Sequence, residues 1–428
     1  MKQILKSIIL ENQSQQLPDI QKRFIQIPIN LNIIISIIGV RRSGKTYLLY
    51  DRINSLLKSG TPRENILYLN FEDERLNLTS DSLDLIIQSY TELFPSIKLS
   101  DCYLFFDEIQ NVVGWEKFIR RLFDTKTRQI YITGSNSKLL STEIATELRG
   151  RTLTFTVYPL SLSEYLDFNK IEKKIYPQQN KSTIIHYTEQ FIYGGGFPEI
   201  LFFDELNKRK MLQQYFNVML IKDIVERYNI SDISVLKFFI KKIVASVTKP
   251  FSINKTYNDL KSMGYKVSNK YLYNYFDYCS DIFLSKALNR FDFSEIKQEK
   301  SEKKVYISDN GLLRALEFSV SQNKGKLLEN MVAMEFFKAE SEVFYFKGSY
   351  ECDFITLTNG KYSAIQVCYD LTDKYTLQRE LRGLLEACKY LNIKTGIILT
   401  FDSSGEFTEN EIHITAIPVY EYFLNLKL

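Results

Sequence analysis

Gly39-Val40-Arg41-Arg42-Ser43-Gly44-Lys45-Thr46 is the stretch on which the reading of this chain turns. It fits G-x-x-x-x-G-K-[ST] without a mismatch. In that pattern glycines let the backbone curl until successive N–H groups face phosphate oxygens. Lys45 then reaches the outer phosphates, and the Thr46 hydroxyl is suited to Mg²⁺. The flanks agree with this reading. Residues 33–38 form a β-branched run broken only by Ser36, the pattern of a parallel strand buried on both faces. Residues 45–58 then place Leu48, Leu49, Ile53, Leu56 and Leu57 at helical spacing, until Gly60 and Pro62 end the helix. A loop between a buried strand and a helix N-terminus favours anions. The expected ligands are ATP and Mg²⁺, with Gly39, Arg41, Arg42, Ser43, Gly44, Lys45, Thr46 and Tyr47 around the nucleotide.

Working outward, further apolar runs at 66–71, 103–106 and 129–133 alternate with helical or polar stretches, which means βαβ units and a doubly wound parallel sheet. Tyr103-Leu104-Phe105-Phe106-Asp107-Glu108 is an apolar strand ending in two acids. Asp107 is expected to hold Mg²⁺, and Glu108 to orient or deprotonate the attacking water. The run 129–133 ends in Gly134-Ser135-Asn136-Ser137, where Asn136 or Ser135 is placed to sense the γ-phosphate. Turns favour Ser and Asn for their own reasons. Leu148-Arg149-Gly150-Arg151 precedes a β-rich run, 152–158. An arginine there is suited to act as a finger on the nucleotide of a neighbouring subunit, which would require a homo-oligomer. A solvated surface arginine is the competing reading.

Composition sets the bounds. At 428 residues the chain is long enough for about three domains. With 45% hydrophobic and 25% charged residues it is globular rather than disordered, and a net charge of +4 neither demands nor excludes nucleic acid. The most apolar segment, 33–40, is far below the roughly 18 residues needed to cross a bilayer. No leader pattern is visible, and Cys102, Cys279, Cys352, Cys368 and Cys388 contain no CxxC pair. A reducing cytoplasm is expected, with no membrane partner. His186 and His413 are far apart and offer no zinc spacing.

Residues 161–249 read as mostly helical, broken by Tyr193-Gly194-Gly195-Gly196-Phe197-Pro198, which is compatible only with a turn or loop. Helices at 253–263 and 268–279 around Gly264, then strands at 283–293 and 304–308, give the winged helix-turn-helix order. In the second helix Leu272, Phe276 and Cys279 are assigned to the core, leaving Asn269, Lys270, Tyr273 and Asn274 outward as the expected DNA contacts. Residues 291–304 and 320–324 read as exposed connections. The last hundred residues alternate again, with a helix at 325–340, strands at 343–347, 352–356 and 362–368, a helix at 377–391 and a strand at 395–400.

Glu329, then Glu351-Cys352-Asp353, then Ile365-Gln366-Val367-Cys368 is similar to the PD-(D/E)XK nuclease layout. There an Asp and a second acid hold Mg²⁺, and a lysine two positions later assists the nucleophile. Period two puts residues 366 and 368 on one strand face. Here Gln366 replaces the acid and Cys368 the lysine. Glutamine offers an uncharged oxygen, and cysteine supplies no positive charge at neutral pH. Lys347 is the candidate substitute. The expectation is a retained fold, with Glu329, Asp353 and Gln366 as remnants of a cleavage site.

The whole chain resembles the bacterial and archaeal AAA-type ATPases with a C-terminal conserved domain of unknown function. Ile38–Thr46, Tyr68-Leu69-Asn70-Phe71-Glu72-Asp73, Phe106-Asp107-Glu108-Ile109-Gln110, Ile132-Thr133-Gly134-Ser135-Asn136 and Leu148–Arg151 carry the likeness, with 193–198 and 325–330 further on. The resemblance implies an α/β chain with four parts. A P-loop, AAA-like doubly wound parallel sheet spans 1–160, and a helical region spans 161–250. A winged helix-turn-helix follows at 251–310, then an α/β restriction-endonuclease-like domain at 325–428. The resemblance implies no settled biological role; the paired phosphate and magnesium motifs, followed by two domains of nucleic-acid-binding type, point to a Mg²⁺-dependent ATPase acting as a switch or motor on a partner, with DNA as one candidate. An ATP-regulated nuclease and a nucleotide-gated protein scaffold are the alternatives.

Overall fold

Strand β1 (Ile34–Gly39) is buried at every position, because strands flank it and helices cover the sheet on either side. It belongs to a computed structural model that describes residues 1–137, 147–176, 178–317 and 323–425. Contacts divide the chain into two units, Met1–Val157 and Tyr158–Leu428.

In the first unit β1, β2 (Ile66–Asn70), β3 (Tyr103–Asp107), β4 (Gln129–Gly134) and β5 (Thr152–Val157) form one parallel sheet in the order β2-β3-β4-β1-β5. This is the arrangement of the AAA-type P-loop fold, and the class is α/β. The edge strand β5 is Thr-rich and half-exposed, whereas β1 and β4 are buried throughout their middle. Helix α2 (Lys45–Lys58) lays Leu48, Leu49, Ile53 and Leu56 on the sheet, where they meet Ile35, Ile37, Phe105 and Tyr131. Helix α1 (Lys2–Ser14), a segment without an assigned element in the sequence, packs Leu5, Ile8 and Ile9 inward against α3 (Asp84–Leu93) and β2.

The second unit begins with helices. The loop 193–198 is shaped by one carboxylate. Asp309 accepts from the Gly196 N–H at 2.7 Å and caps the helix Asn310–Leu316 through the Leu312 N–H at 3.0 Å. Gly195 has φ +75°, and a Cβ there would stand 2.1 Å from an Asp309 carboxylate oxygen, so only glycine fits. Next come the helices Ile233–Ala245, Ile253–Ser262 and Asn269–Asp281. With them goes a small antiparallel sheet of β6 (Pro250–Phe251), β7 (Ser285–Leu288) and β8 (Lys303–Ile307), in the order β6-β8-β7. The expected strand at 283–293 is shorter, and the supposed connection at 291–304 contains a helix, Glu295–Lys300, preceded by a buried Phe291. Of the connection at 320–324, residues 320–322 lie outside the described residues, and Lys324 already opens the helix Lys324–Lys338.

A six-stranded mixed sheet follows: β9 (Glu342–Lys347), β10 (Glu351–Thr358), β11 (Lys361–Val367), β12 (Thr395–Thr400), β13 (Gly405–Glu409) and β14 (Ile412–Pro418). Its order is β13-β14-β12-β11-β10-β9, with β11, β12 and β14 parallel and the rest antiparallel. The helix Lys374–Tyr390 makes the crossover from β11 to β12. Strands β13 and β14 lie past residue 400, where the sequence pattern assigns no element.

One glycine makes a sharp prediction. Gly39 has φ +147°, and a Cβ there would stand 2.0 Å from the Val157 carbonyl oxygen. Gly60 also has positive φ, +91°, but nothing stands within 4 Å. Gly60→Ala should cost about 1–3 kcal/mol of backbone strain. Gly39→Ala should cost clearly more, since β5 must shift as well. Urea unfolding of both full-length variants checks the order, and equal midpoints would contradict it.

Candidate functional site

Strand order makes the first site. The chain leaves β1 through α2, returns three strands away at β2, and reaches the other side of β1 only with β5. A crevice therefore opens at the carboxyl end of β1, the position where ligands bind in such sheets. Registers Ile38↔Gly134 and Asn70↔Asp107 bring the ends of β2, β3 and β4 to the same rim.

The loop 39–46 lines this rim. Arg42 and Gly44 take left-handed conformations, φ +67° and +100°, and Gly44 precedes the first residue of α2. The Ser43 hydroxyl is buried without a hydrogen-bond partner among the described residues. Lys45 is buried, and its ammonium donates to Gly39 O at 3.3 Å and Val40 O at 3.2 Å. It also lies 3.4 Å from Glu108 Oε1. Arg41 pairs with Glu72 at 2.7 Å, Arg23 donates to Ser43 O at 2.8 Å, and Arg42 and Tyr47 are exposed.

Asp107, at the end of β3, is buried among hydroxyls. Thr46 Oγ1 donates to Oδ2 at 2.8 Å, Tyr68 OH donates to the same oxygen at 3.0 Å, and Thr133 Oγ1 donates to Oδ1. Burial, with Glu108 beside it, holds Asp107 above the ordinary carboxylate range despite these donors. Burial drives the Tyr68 hydroxyl far up as well. Glu108 behaves oppositely. Burial alone would raise it, but the Lys45 charge, a hydrogen bond from Gln110 and the charge of Arg41 outweigh that, and it lies below its ordinary value. Gln110 Nε2 donates to Glu108 Oε2 at 2.5 Å and lies 3.5 Å from Ser135 Oγ. The Glu108 backbone, left-handed at φ +52°, donates to Thr133 Oγ1 at 2.9 Å. Asn136 is buried two residues past β4.

The structure thus brings Lys45, Thr46, Asp107 and Glu108 together, as the spacing predicts. The donor set fits a magnesium–nucleotide: a threonine hydroxyl and a carboxylate suited to Mg²⁺, a lysine suited to phosphate, and an ionised glutamate behind them. Tyr68, Thr133 and Gln110 also belong to the site, and nothing local in the sequence marks them, since each is an ordinary strand or turn residue in isolation. Arg149 and Arg151 sit elsewhere. Ile34 N bonds to Arg151 O, while Gly39 is level with Val157, so the arginines lie roughly 20 Å along the strands from the loop. Arg149 is exposed with φ +54°; Arg151 pairs with Asp124 and lies 5.9 Å from the Phe123 ring.

In the second unit the helix Asn269–Asp281 buries Leu272, Tyr275 and Cys279, not Phe276, which stacks on Phe251. Lys270 and Tyr273 are exposed as expected, with Tyr271 beside them. Asn269 and Asn274 are half-buried, and Asn269 donates to Asn254 at 2.8 Å.

The nuclease-like residues also converge. A bulge in β10 between Cys352 and Ile355 aims Asp353 at Gln366 across the ladder. Gln366 Nε2 donates to Asp353 Oδ2 at 2.9 Å and to Glu380 Oε2 at 2.5 Å, and its oxygen accepts from Asp353 N at 3.2 Å. The lysine is neither at position 368 nor Lys347. Cys368 packs into the apolar cluster with Cys352, Ala364 and Leu384. Lys347 is half-exposed, 3.4 Å from Glu351. It is Lys304, from β8, that enters the cluster. Its ammonium, fully buried, lies 2.7 Å from Glu351 Oε1, 3.0 Å from Asp353 Oδ1 and 3.2 Å from Glu329 Oε1. Burial opposes its charge, but Glu329, Tyr306, Asp353 and Glu351 more than reverse this and hold it protonated. Tyr306 OH donates to Glu329 at 3.0 Å, and burial with the neighbouring Asp353 pushes Glu329 up to about 8. No local sequence signal marks Lys304, because its partners lie 25 to 49 positions away. Among the described residues, no group of three or more His, Cys, Asp or Glu is arranged to hold a metal ion, and no helix is long and apolar enough to cross a membrane.

Residues 31–166 match the AAA domain family, residues 185–324 a domain of unknown function (DUF8612), and residues 324–422 another (DUF4143). An uncharacterized protein of Methanocaldococcus jannaschii is 37% identical, with 98% of this chain and 95% of that one covered. One of Haemophilus influenzae is 33% identical, over 78% and 82% of the two chains. Among solved structures, Cdc6p from Pyrobaculum aerophilum covers 66% of this chain and 87% of its own at 14% identity, TM-score 0.27. The AMPPCP-bound DnaA of Aquifex aeolicus covers 59% and 83% at 13% identity, TM-score 0.26. By its AAA domain and its near full-length likeness to uncharacterized relatives, this chain belongs to the AAA-type P-loop ATPases with a C-terminal domain of unknown function.

Proposed function

We propose that the chain is a Mg²⁺-dependent ATPase that works as a nucleotide-driven switch. The observation that carries this reading is the buried meeting of Lys45, Thr46, Asp107 and Glu108 at one rim of the parallel sheet. Thr46 and Asp107 would hold the metal, which neutralises phosphate charge when bound, and Lys45 would leave its carbonyl partners for the phosphates. Glu108, kept ionised by Lys45 and Gln110, would orient the attacking water. Free thiols at Cys102, Cys279, Cys352, Cys368 and Cys388 support a reducing, cytoplasmic setting.

Two further parts of the proposal concern partners. Arg149 and Arg151 lie too far along the strands to serve their own nucleotide, so a finger role requires a neighbouring copy. The exposed Arg149 is the better candidate, since Arg151 is tied to Asp124. The unit from Ile233 to Ile307 has the helix and strand order of a winged helix, with Lys270 and Tyr273 exposed on its third helix. It is proposed to contact DNA phosphates. The sheet β9–β14 is proposed as nuclease-like in fold without cleavage activity, on the strength of Gln366 and Cys368.

Glu108→Gln should lower Mg²⁺-dependent ATP turnover by about a hundredfold or more while ATP still binds. Equal rates would remove Glu108 from the reaction. Turnover per chain should rise with chain concentration, and Arg149→Ala should abolish that rise; a concentration-independent rate would sink the finger. DNA affinity should fall steeply with salt, and Lys270→Ala should make the slope shallower by about one ion. Salt-insensitive or undetectable binding would favour a nucleotide-gated protein scaffold instead.

A further inference from the structure

We propose that the Lys304 ammonium stands where a divalent cation would sit in the layout that Glu329, Asp353 and Gln366 resemble, so that the cluster takes no metal and forms a permanent internal staple between β8 and the C-terminal sheet. This rests on the geometry of the cluster and is independent of the ATPase reading.

An ammonium carries three N–H donors. Lys304 presents them to three carboxyl groups from three places in the chain: Glu329 on the helix Lys324–Lys338, Glu351 at the start of β10, and Asp353 at its bulge. Three carboxyl groups converging on one largely buried point are stabilised by a cation between them, even with Glu329 pushed up to about 8. In a metal centre that cation is exchangeable, and here it is covalently part of the chain. Further lone pairs of Asp353 and Glu329 are filled from within. Asp353 Oδ2 accepts from Gln366 Nε2 at 2.9 Å and Val367 N at 3.1 Å, and Glu329 Oε1 accepts from Tyr306 OH at 3.0 Å. The Tyr345 ring, its centroid 5.7 Å from the ammonium, covers another side. Gln366 belongs to the same device. An acid at that position would add one more acidic group around a monovalent centre, whereas the amide donates to both Asp353 and Glu380.

The staple has a mechanical meaning. Lys304 belongs to the small sheet β6-β8-β7, and its three partners belong to the C-terminal α/β portion. The bond cannot be washed out by chelation, so the two portions would move as one body in every metal condition of the cell.

The test uses the full-length chain without nucleotide, titrated with Mn²⁺ and followed by electron paramagnetic resonance. Wild type and Asp353→Asn should bind the same amount of Mn²⁺. Lys304→Met should gain one further Mn²⁺ per chain, and adding Asp353→Asn should remove it. Wild-type binding lost in Asp353→Asn would overturn the proposal, as would a folded Lys304→Met variant that gains no site. If Lys304→Met does not fold alone, Mn²⁺ should restore its near-ultraviolet circular dichroism, and should not do so when Asp353→Asn is also present. Failure of Mn²⁺ to restore it, while Lys304→Met with Glu329→Gln and Asp353→Asn folds, would equally overturn the proposal.

Discussion

Buried charge must be matched in place, and both units of this chain are organised around that requirement. In the first unit Lys45 lies between loop carbonyls and Glu108, while Asp107 is held by three hydroxyls. In the second, Lys304 lies between Glu329, Glu351 and Asp353. Removing one partner from such a set strands a charge in a medium that solvates it poorly. The backbone around each is shaped to deliver the groups: a left-handed Glu108 in one unit, a bulge at Asp353 in the other.

The two clusters differ in how completely they are satisfied. Around the loop 39–46 the lysine makes two long bonds to carbonyls and the Ser43 hydroxyl is unpartnered among the described residues, so the donors are poised for an anion. Around Lys304 three donors meet three acceptors, and the neighbouring Gln366 is paired at both ends. A site with spare donors is suited to turnover, and one that is closed on itself is suited to holding shape. The same chemistry of lysine and carboxylate therefore supports two different roles.

How much of this was legible in sequence follows from distance along the chain. The phosphate loop is local: a buried strand, eight residues and a helix, all readable from period and glycine position. Asp107 and Glu108 announce themselves as acids at the end of an apolar strand. The helix-turn-helix and hairpin of the middle were legible in outline, but Tyr275 rather than Phe276 is buried beside Leu272 and Cys279, because positions i+3 and i+4 share one helix face and an apolar pattern does not choose between two aromatics there. Strand β14 carries an alternating pattern in Ile412-His413-Ile414-Thr415-Ala416 that the reading did not follow. Lys304 was out of reach. Its neighbours in sequence are Lys303 and Val305, and nothing in that run distinguishes a buried ammonium from an exposed one. Only the pairing of β8 with its partners and the bulge of β10 bring it to Asp353.

The most direct test of the central claim is calorimetric titration of ATP onto the full-length chain, with and without Mg²⁺, in wild type and in Asp107→Asn. The account predicts one ATP per wild-type chain, bound more tightly with Mg²⁺, and an Asp107→Asn variant whose ATP affinity no longer responds to the metal. Wild type that fails to bind ATP, or a variant that responds to Mg²⁺ as wild type does, would contradict it.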